Sequence, residues 1–170
     1  MKTRLAPFLF SALLGVAVAV WVTAPSLLAF QSTATKNTEI VLGTWVLDIK
    51  KSKYRPGPAP KSQTRIYEAH PSGIKATIRT VYADGHSTST EYIANYDGVE
   101  YPVTGSPNSD KIILKRIDEF TADATLIHAG KTIGSAKRVI SENGTTMTIE
   151  YKGMWEGRLA DNIAVYAKQK

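Results

Sequence analysis

Thr145-Thr146-Met147-Thr148-Ile149-Glu150-Tyr151-Lys152 is the stretch that decides the fold. Met147, Ile149 and Tyr151 alternate with Thr146, Thr148, Glu150 and Lys152, which is the two-residue period of a strand with one apolar and one polar face. Asn143-Gly144, just before it, supplies the positive φ angles of a tight hairpin. A hairpin of this kind needs neighbours on both sides to bury its apolar face.

Outward from that stretch the same grammar repeats. Ile74, Ala76, Ile78 and Tyr82 face one way, while Lys75, Thr77 and Arg79 face the other. Asp84-Gly85, Asp97-Gly98, the Gly105-Ser106-Pro107-Asn108 run and Gly130 mark further turns. The pattern predicts strands over 40–49, 64–69, 74–82, 87–95, 99–104, 111–117, 124–129, 131–140, 145–152 and 162–168. A loop through Trp155 and Gly157 is expected before the last of them. The run Pro56-Gly57-Pro58-Ala59-Pro60 excludes helix and central strand, so 50–63 is expected as an extended, polyproline-like loop. Strands joined by short turns pair with their sequence neighbours, and closing the sheet removes its two edges. The expected fold is therefore all-β, an antiparallel up-and-down meander barrel of about ten strands. A two-sheet sandwich is the alternative.

Residues 1–29 have the pattern of a secretory signal peptide. Lys2 and Arg4 precede an apolar run over 8–22, and Ser26 and Ala29 offer small residues for cleavage. An uncleaved anchor is the rival, because the run approaches the roughly 20 residues that span a bilayer. Residues 30–39 are expected as a polar lead-in and 40–170 as the barrel domain. After signal removal no membrane span is expected, and the address is exported, periplasmic or extracellular. The chain has no cysteine, which excludes thiol chemistry, cysteine-ligated metals and a lipid-anchored cysteine. About 140 residues remain, enough to bury roughly 68% of the unfolded surface without disulfides. The formal charge of +6 falls by two to +4 when Lys2 and Arg4 leave. Apart from Lys50, Lys51, Lys53, Arg55 and Lys61, basic residues are interspersed with acidic ones, and no basic aromatic platform for nucleic acid is present.

Gly43-Thr44-Trp45 resembles the G-x-W signature that opens lipocalins and related calycin barrels. The wider chain resembles a group of small exported bacterial proteins of lipocalin-like type whose activity is not established. The likeness runs through Val46-Leu47-Asp48, Lys51-Ser52-Lys53-Tyr54, the Pro56–Lys61 stretch, Tyr96-Asp97-Gly98, Tyr101-Pro102-Val103-Thr104-Gly105 and Val165-Tyr166-Ala167-Lys168-Gln169. It implies a barrel and an exported location. It also implies that Trp45 closes the barrel base and that a late arginine, with Arg158 the candidate, packs over it. The helix that follows the last strands of a lipocalin has no counterpart here.

Motifs of catalysis are missing: no G-x-S-x-G elbow and no G-x-G-x-x-G turn occur. Gly130-Lys131-Thr132 imitates the end of a P-loop, but Thr125 stands where the first glycine belongs. His70, His86 and His128 fall in or beside turns and at a strand end, without the carboxylates of a metal site. Asp118 and Glu119 are adjacent and point apart. No catalytic residue, metal or cofactor is expected. The aromatic set carries more: Trp45, Tyr67, Tyr82, Tyr92, Tyr96, Tyr101, Tyr151, Trp155 and Tyr166 are spread over strands of one barrel, and tyrosine suits a wall that is apolar yet orients a polar group. The expected function is non-enzymatic binding of a small apolar ligand. Trp45, Leu47, Ile78, Tyr92, Leu114, Met147, Ile149 and Tyr151 are the expected pocket wall. A cavity-free barrel acting as an envelope-surface interaction module is the rival, and an isomerase or cyclase on the same barrel would need a convergent polar set.

Overall fold

The computed structural model describes residues 40–170. The expected signal peptide (1–29) and lead-in (30–39) lie outside the described residues. Ten antiparallel strands follow one another: β1 (Gly43–Leu47), β2 (Ser62–His70), β3 (Gly73–Val81), β4 (Ser87–Ala94), β5 (Asp97–Thr104), β6 (Lys111–Arg116), β7 (Thr121–His128), β8 (Lys131–Ile140), β9 (Thr146–Trp155) and β10 (Arg158–Lys168). Each pairs with its sequence neighbours, and β1 also pairs with β10, so the sheet is a closed up-and-down barrel. The meander expected from the hairpin signals is what forms, and the sandwich is not.

The loop expected through Trp155 and Gly157 is instead a two-residue hairpin turn. Glu156 and Gly157 have φ of 50° and 74°, and Arg158 pairs with Trp155 directly across it. The strand is longer than expected because Gly153 does not end it. Gly153 pairs with Gly134 on β8, and a Cβ at Gly153 would lie 2.3 Å from the Gly134 Cα. At Gly134 a Cβ would lie 2.6 Å from the Tyr151 hydroxyl oxygen. The two glycines let backbones and a phenol crowd together inside the ladder.

Closure depends on a short strand. β1 pairs with β10 at Trp45↔Lys168 to Leu47↔Tyr166 and with β2 at Gly43↔Tyr67 to Val46↔Thr64. It ends where Asp48 accepts the Lys50 and Lys51 backbone N–H groups, turning Ile49–Lys51 into one 3-10 turn. The chain then returns to the seam. Lys53 and Ile163 exchange two backbone hydrogen bonds of 2.7 and 2.8 Å, and the Arg55 N–H donates to the Asn162 side chain. The first part of the segment expected as a free extended loop is therefore a strap paired to the upper part of β10. The pairing partner is 110 residues away, and the proline run over 56–60 itself forms neither helix nor strand, as expected.

A second weak ladder lies opposite. β4 and β5 share only Glu91↔Thr104 and Tyr92↔Val103. Val103 donates its N–H toward β6, to the Asp110 carbonyl, so Pro102 turns its nitrogen toward β4. Proline has no N–H to donate, and the ladder stops there.

The lower end of the barrel is packed shut. Trp45, Tyr166, Ile74, Met147 and Val41 are the largest fully buried side chains. The Trp45 indole N–H donates to the Val41 carbonyl at 2.8 Å, which ties the segment before β1 across the base. The cation over the Trp45 ring is Lys168, its Nζ 5.1 Å from the centroid. Arg158, the candidate for that place, begins β10 at the opposite end of the barrel. The register of β10 decides this: Trp45 pairs with Lys168 itself, ten residues beyond Arg158 along the strand.

Trp45 is the largest plug in this base, so Trp45→Ala should cost about 3–5 kcal/mol of stability. Urea unfolding followed by far-UV circular dichroism measures it; a loss below about 1 kcal/mol would mean the base is not held by this ring.

Candidate functional site

Above the base the inward side chains become short. Ala124 on β7, Ala136 on β8, and Ala160 and Ala164 on β10 line the interior, and their methyl groups leave space that longer side chains would fill. The result is a cavity of about 350 Å³. Its mouth lies among the strap over 54–60, the β3–β4 and β5–β6 turns and the β9–β10 turn. Of the expected wall, Ile78, Tyr92, Leu114, Ile149 and Tyr151 line this space. Trp45, Leu47 and Met147 do not; they are buried in the core below it. The Tyr151 hydroxyl donates to the Met154 carbonyl at 2.6 Å, and its ring meets Trp155 edge to face. That fixes an aromatic corner near the mouth.

Two residues that the sequence analysis did not single out dominate the electrostatics. Arg65 on β2 and Arg138 on β8 both line the cavity. They are placed there by alternation: Arg65 shares a face with buried Tyr67, and Arg138 shares one with buried Ile140. The five-residue stretches Gln63-Thr64-Arg65-Ile66-Tyr67 and Ala136-Lys137-Arg138-Val139-Ile140 carried that signal. It was masked because the β2 window is short of apolar residues and the β8 window holds two adjacent cations.

The guanidiniums are surrounded by neutral oxygens. Arg65 Nη1 lies 3.5 Å from the Tyr67 hydroxyl, its Nε donates to Gln63 Oε1 at 3.3 Å, and its Cζ sits 5.3 Å from the Tyr166 ring centre. The Tyr166 hydroxyl donates to the same Gln63 oxygen. Arg138 Nη2 donates to the Tyr96 hydroxyl, and its Cζ lies 5.6 Å from the Tyr67 ring centre. Arg116 stacks on the other side of the arrangement, its Cζ 4.1 Å from the Tyr96 ring centre. Burial alone would weaken the charged form of Arg65 and Arg138, but the tyrosines beside them outweigh it and hold both above the ordinary arginine value. Both stay charged at any physiological pH.

The tyrosines respond in opposite directions. Burial pushes Tyr92 and Tyr166 above the ordinary value of 10.0. Burial also opposes ionisation of Tyr67, yet Arg65 and then Arg138 pull its hydroxyl below 10.0. One phenol held between two guanidiniums is therefore more acidic than its neighbours Tyr92 and Tyr166. Of the histidines only His86 borders the cavity, at its mouth. His86 stacks on Tyr82 at 4.2 Å and contacts Asp84 at 2.6 Å beside the mouth, His70 accepts the Ser72 N–H, and His128 lies 3.6 Å from Asp110. Among the described residues no group of three or more His, Asp or Glu is arranged to hold a metal.

Such an interior can enclose an apolar body and offer hydrogen-bond donors. It presents no nucleophile with an adjacent base. Compared with family models, with curated proteins and with solved structures, the chain finds no match in any of the three.

Because the folded state releases the Tyr67 proton before the unfolded chain does, this residue adds stability that is fully present above 10.0 and is lost as pH falls through its folded value. Ultraviolet titration of native protein should show one tyrosinate forming ahead of the others, and Tyr67→Phe should delete that first step. If Tyr67→Phe leaves the early part of the curve unchanged, the two guanidiniums do not converge on this phenol.

Proposed function

We propose that this protein is an exported, non-enzymatic lipocalin-like barrel that binds a small, mainly apolar molecule in its interior. The observation that carries the proposal is the cavity of about 350 Å³ above a sealed base. Small-molecule sites occupy roughly 300–1,000 Å³ and are mainly apolar with a few placed polar groups. The wall has that character, with Ile78, Leu114 and Ile149 among its aliphatic surface and tyrosines, Gln63, Thr80, Asn162 and the two arginines among its polar groups. Each methylene moved from water into such a space contributes about 0.8 kcal/mol. The lipocalin-like assignment rests on Gly43-Thr44-Trp45 opening β1, on Trp45 plugging the base, and on the closed ten-strand meander. The rival, a barrel working only through its outer surface, gives no reason for four alanines to keep the interior open.

Displacement of a polarity-sensitive naphthalene dye by apolar compounds tests the proposal. Native protein should enhance the dye's emission and release it to a competing aliphatic or polycyclic ligand. Ala136→Phe should weaken dye binding about tenfold or more, because the ring occupies the space. The same variant should remain folded by circular dichroism. No dye binding, and no binding of aliphatic, aromatic or polycyclic compounds by calorimetry, would overturn the proposal.

A further inference from the structure

The cavity carries two arginines that no carboxylate among the described residues pairs with. The ion pairs among the described residues are Lys51–Asp48, His86–Asp84, Lys111–Glu100 and His128–Asp110, and neither Arg65 nor Arg138 takes part in one. Three carboxylates border the cavity: Asp84, Glu156 and Asp123. Asp84 lies beside the mouth with His86, and Glu156 is exposed on the β9–β10 turn. Asp123 pairs across the sheet with Lys115 and Lys137, whose side chains face outward. What reaches the two guanidiniums is a set of neutral acceptors: the Gln63 amide oxygen and the hydroxyls of Tyr67 and Tyr96. The Arg138 Nε is buried with no hydrogen-bond partner at all.

A buried charge is tolerated when it is paired, and its cost is large when it is not. Neutral hydroxyls orient a guanidinium without cancelling it. Two such groups, on β2 and β8, converge on one buried phenol, Tyr67. The apolar wall of Ile78, Leu114 and Ile149 lines the same cavity. Ile78 stands directly across the ladder from Arg65 and Ile149 directly across from Arg138, so each guanidinium opens beside apolar wall.

We propose that the ligand of this barrel is an amphipathic anion, an apolar chain or ring system bearing one carboxylate, held with the carboxylate at Arg65 and Arg138. This inference rests on the interior-binding reading above and narrows it to a chemical class. Arginine suits the task because its planar fork of N–H donors matches the two oxygens of a carboxylate. Tyr67, whose hydroxyl lies 3.5 Å from Arg65 Nη1, lines the same cavity and can add a neutral donor. The acid enters ionised and leaves ionised, so no bond is made or broken.

Calorimetric titration with decanoate, decanol and methyl decanoate separates this inference from the one it rests on. Three ligands share one apolar chain and differ only at the head. The expected result is that decanoate binds about tenfold or more tightly than decanol or the ester, as a charge-assisted hydrogen bond predicts. Arg138→Met and Arg65→Met should each remove that preference while decanol binding persists, which also shows that the variants keep their cavity. Arg79→Gln, on the outward face of β3, should leave the preference intact. With carboxyl-labelled decanoate, carbon NMR should show the bound head group ionised at pH values where the free acid is protonated. Equal binding of all three ligands would overturn the anionic head while leaving interior binding standing. A preference for decanoate that survives both Arg→Met substitutions would overturn it as well, by placing the carboxylate elsewhere. Binding of none of the three would overturn both.

Discussion

The structure depends on the hydrogen bonds that β1 makes to both of its neighbours. Without them the meander is an open sheet with two long edges, and its inward face is exposed to water and to other chains. β1 is only five residues long, so it closes only the lower half of the seam. Above it the strap pairs with β10, through the Lys53–Ile163 bridge and the Arg55–Asn162 contact. The base is therefore a true sheet, dense and plugged by Trp45, whereas the mouth is assembled from loops laid over strands. This division places the tightly packed residues at one end and the cavity at the other.

Within that frame, side-chain volume decides where space remains. Trp45, Ile74, Met147 and Tyr166 interlock at the bottom, while Ala124, Ala136, Ala160 and Ala164 line the cavity above. Filling it would be easy for evolution, since a single phenylalanine on any of those strands would gain apolar contact. A small barrel of this kind is stable when packed solid. The retained opening, and two arginines turned into it, both cost stability that a bound anion would restore. One molecule accounts for the two features together.

Much of the architecture was legible in the sequence because it is written in local patterns. The alternation over 145–152 and the Asp-Gly and Asn-Gly turns define strands and their order, and order in a meander defines pairing. What escaped were features that depend on residues far apart in the chain. Gly153 read as a strand end because its partner, Gly134, is across the sheet, and the strap read as a free loop because its partner is β10. The wall was legible in part: Ile78, Tyr92, Leu114, Ile149 and Tyr151 line the cavity, but alternation gives the face of a strand and not the height along it. Trp45, Leu47 and Met147 face the same interior and lie too low. Arg65 and Arg138 were hidden for a different reason. Charged residues are ordinarily assigned outward, and only the positions of Tyr67 and Ile140 two residues on place them inside.

The central claim is that this interior is built around an organic anion. Native mass spectrometry of the protein purified from its own source, followed by acid extraction and identification of what is released, tests it most directly. The account predicts one apolar organic acid per chain. Chains that carry only a neutral lipid, or that carry nothing after purification without detergent or organic solvent, would contradict it.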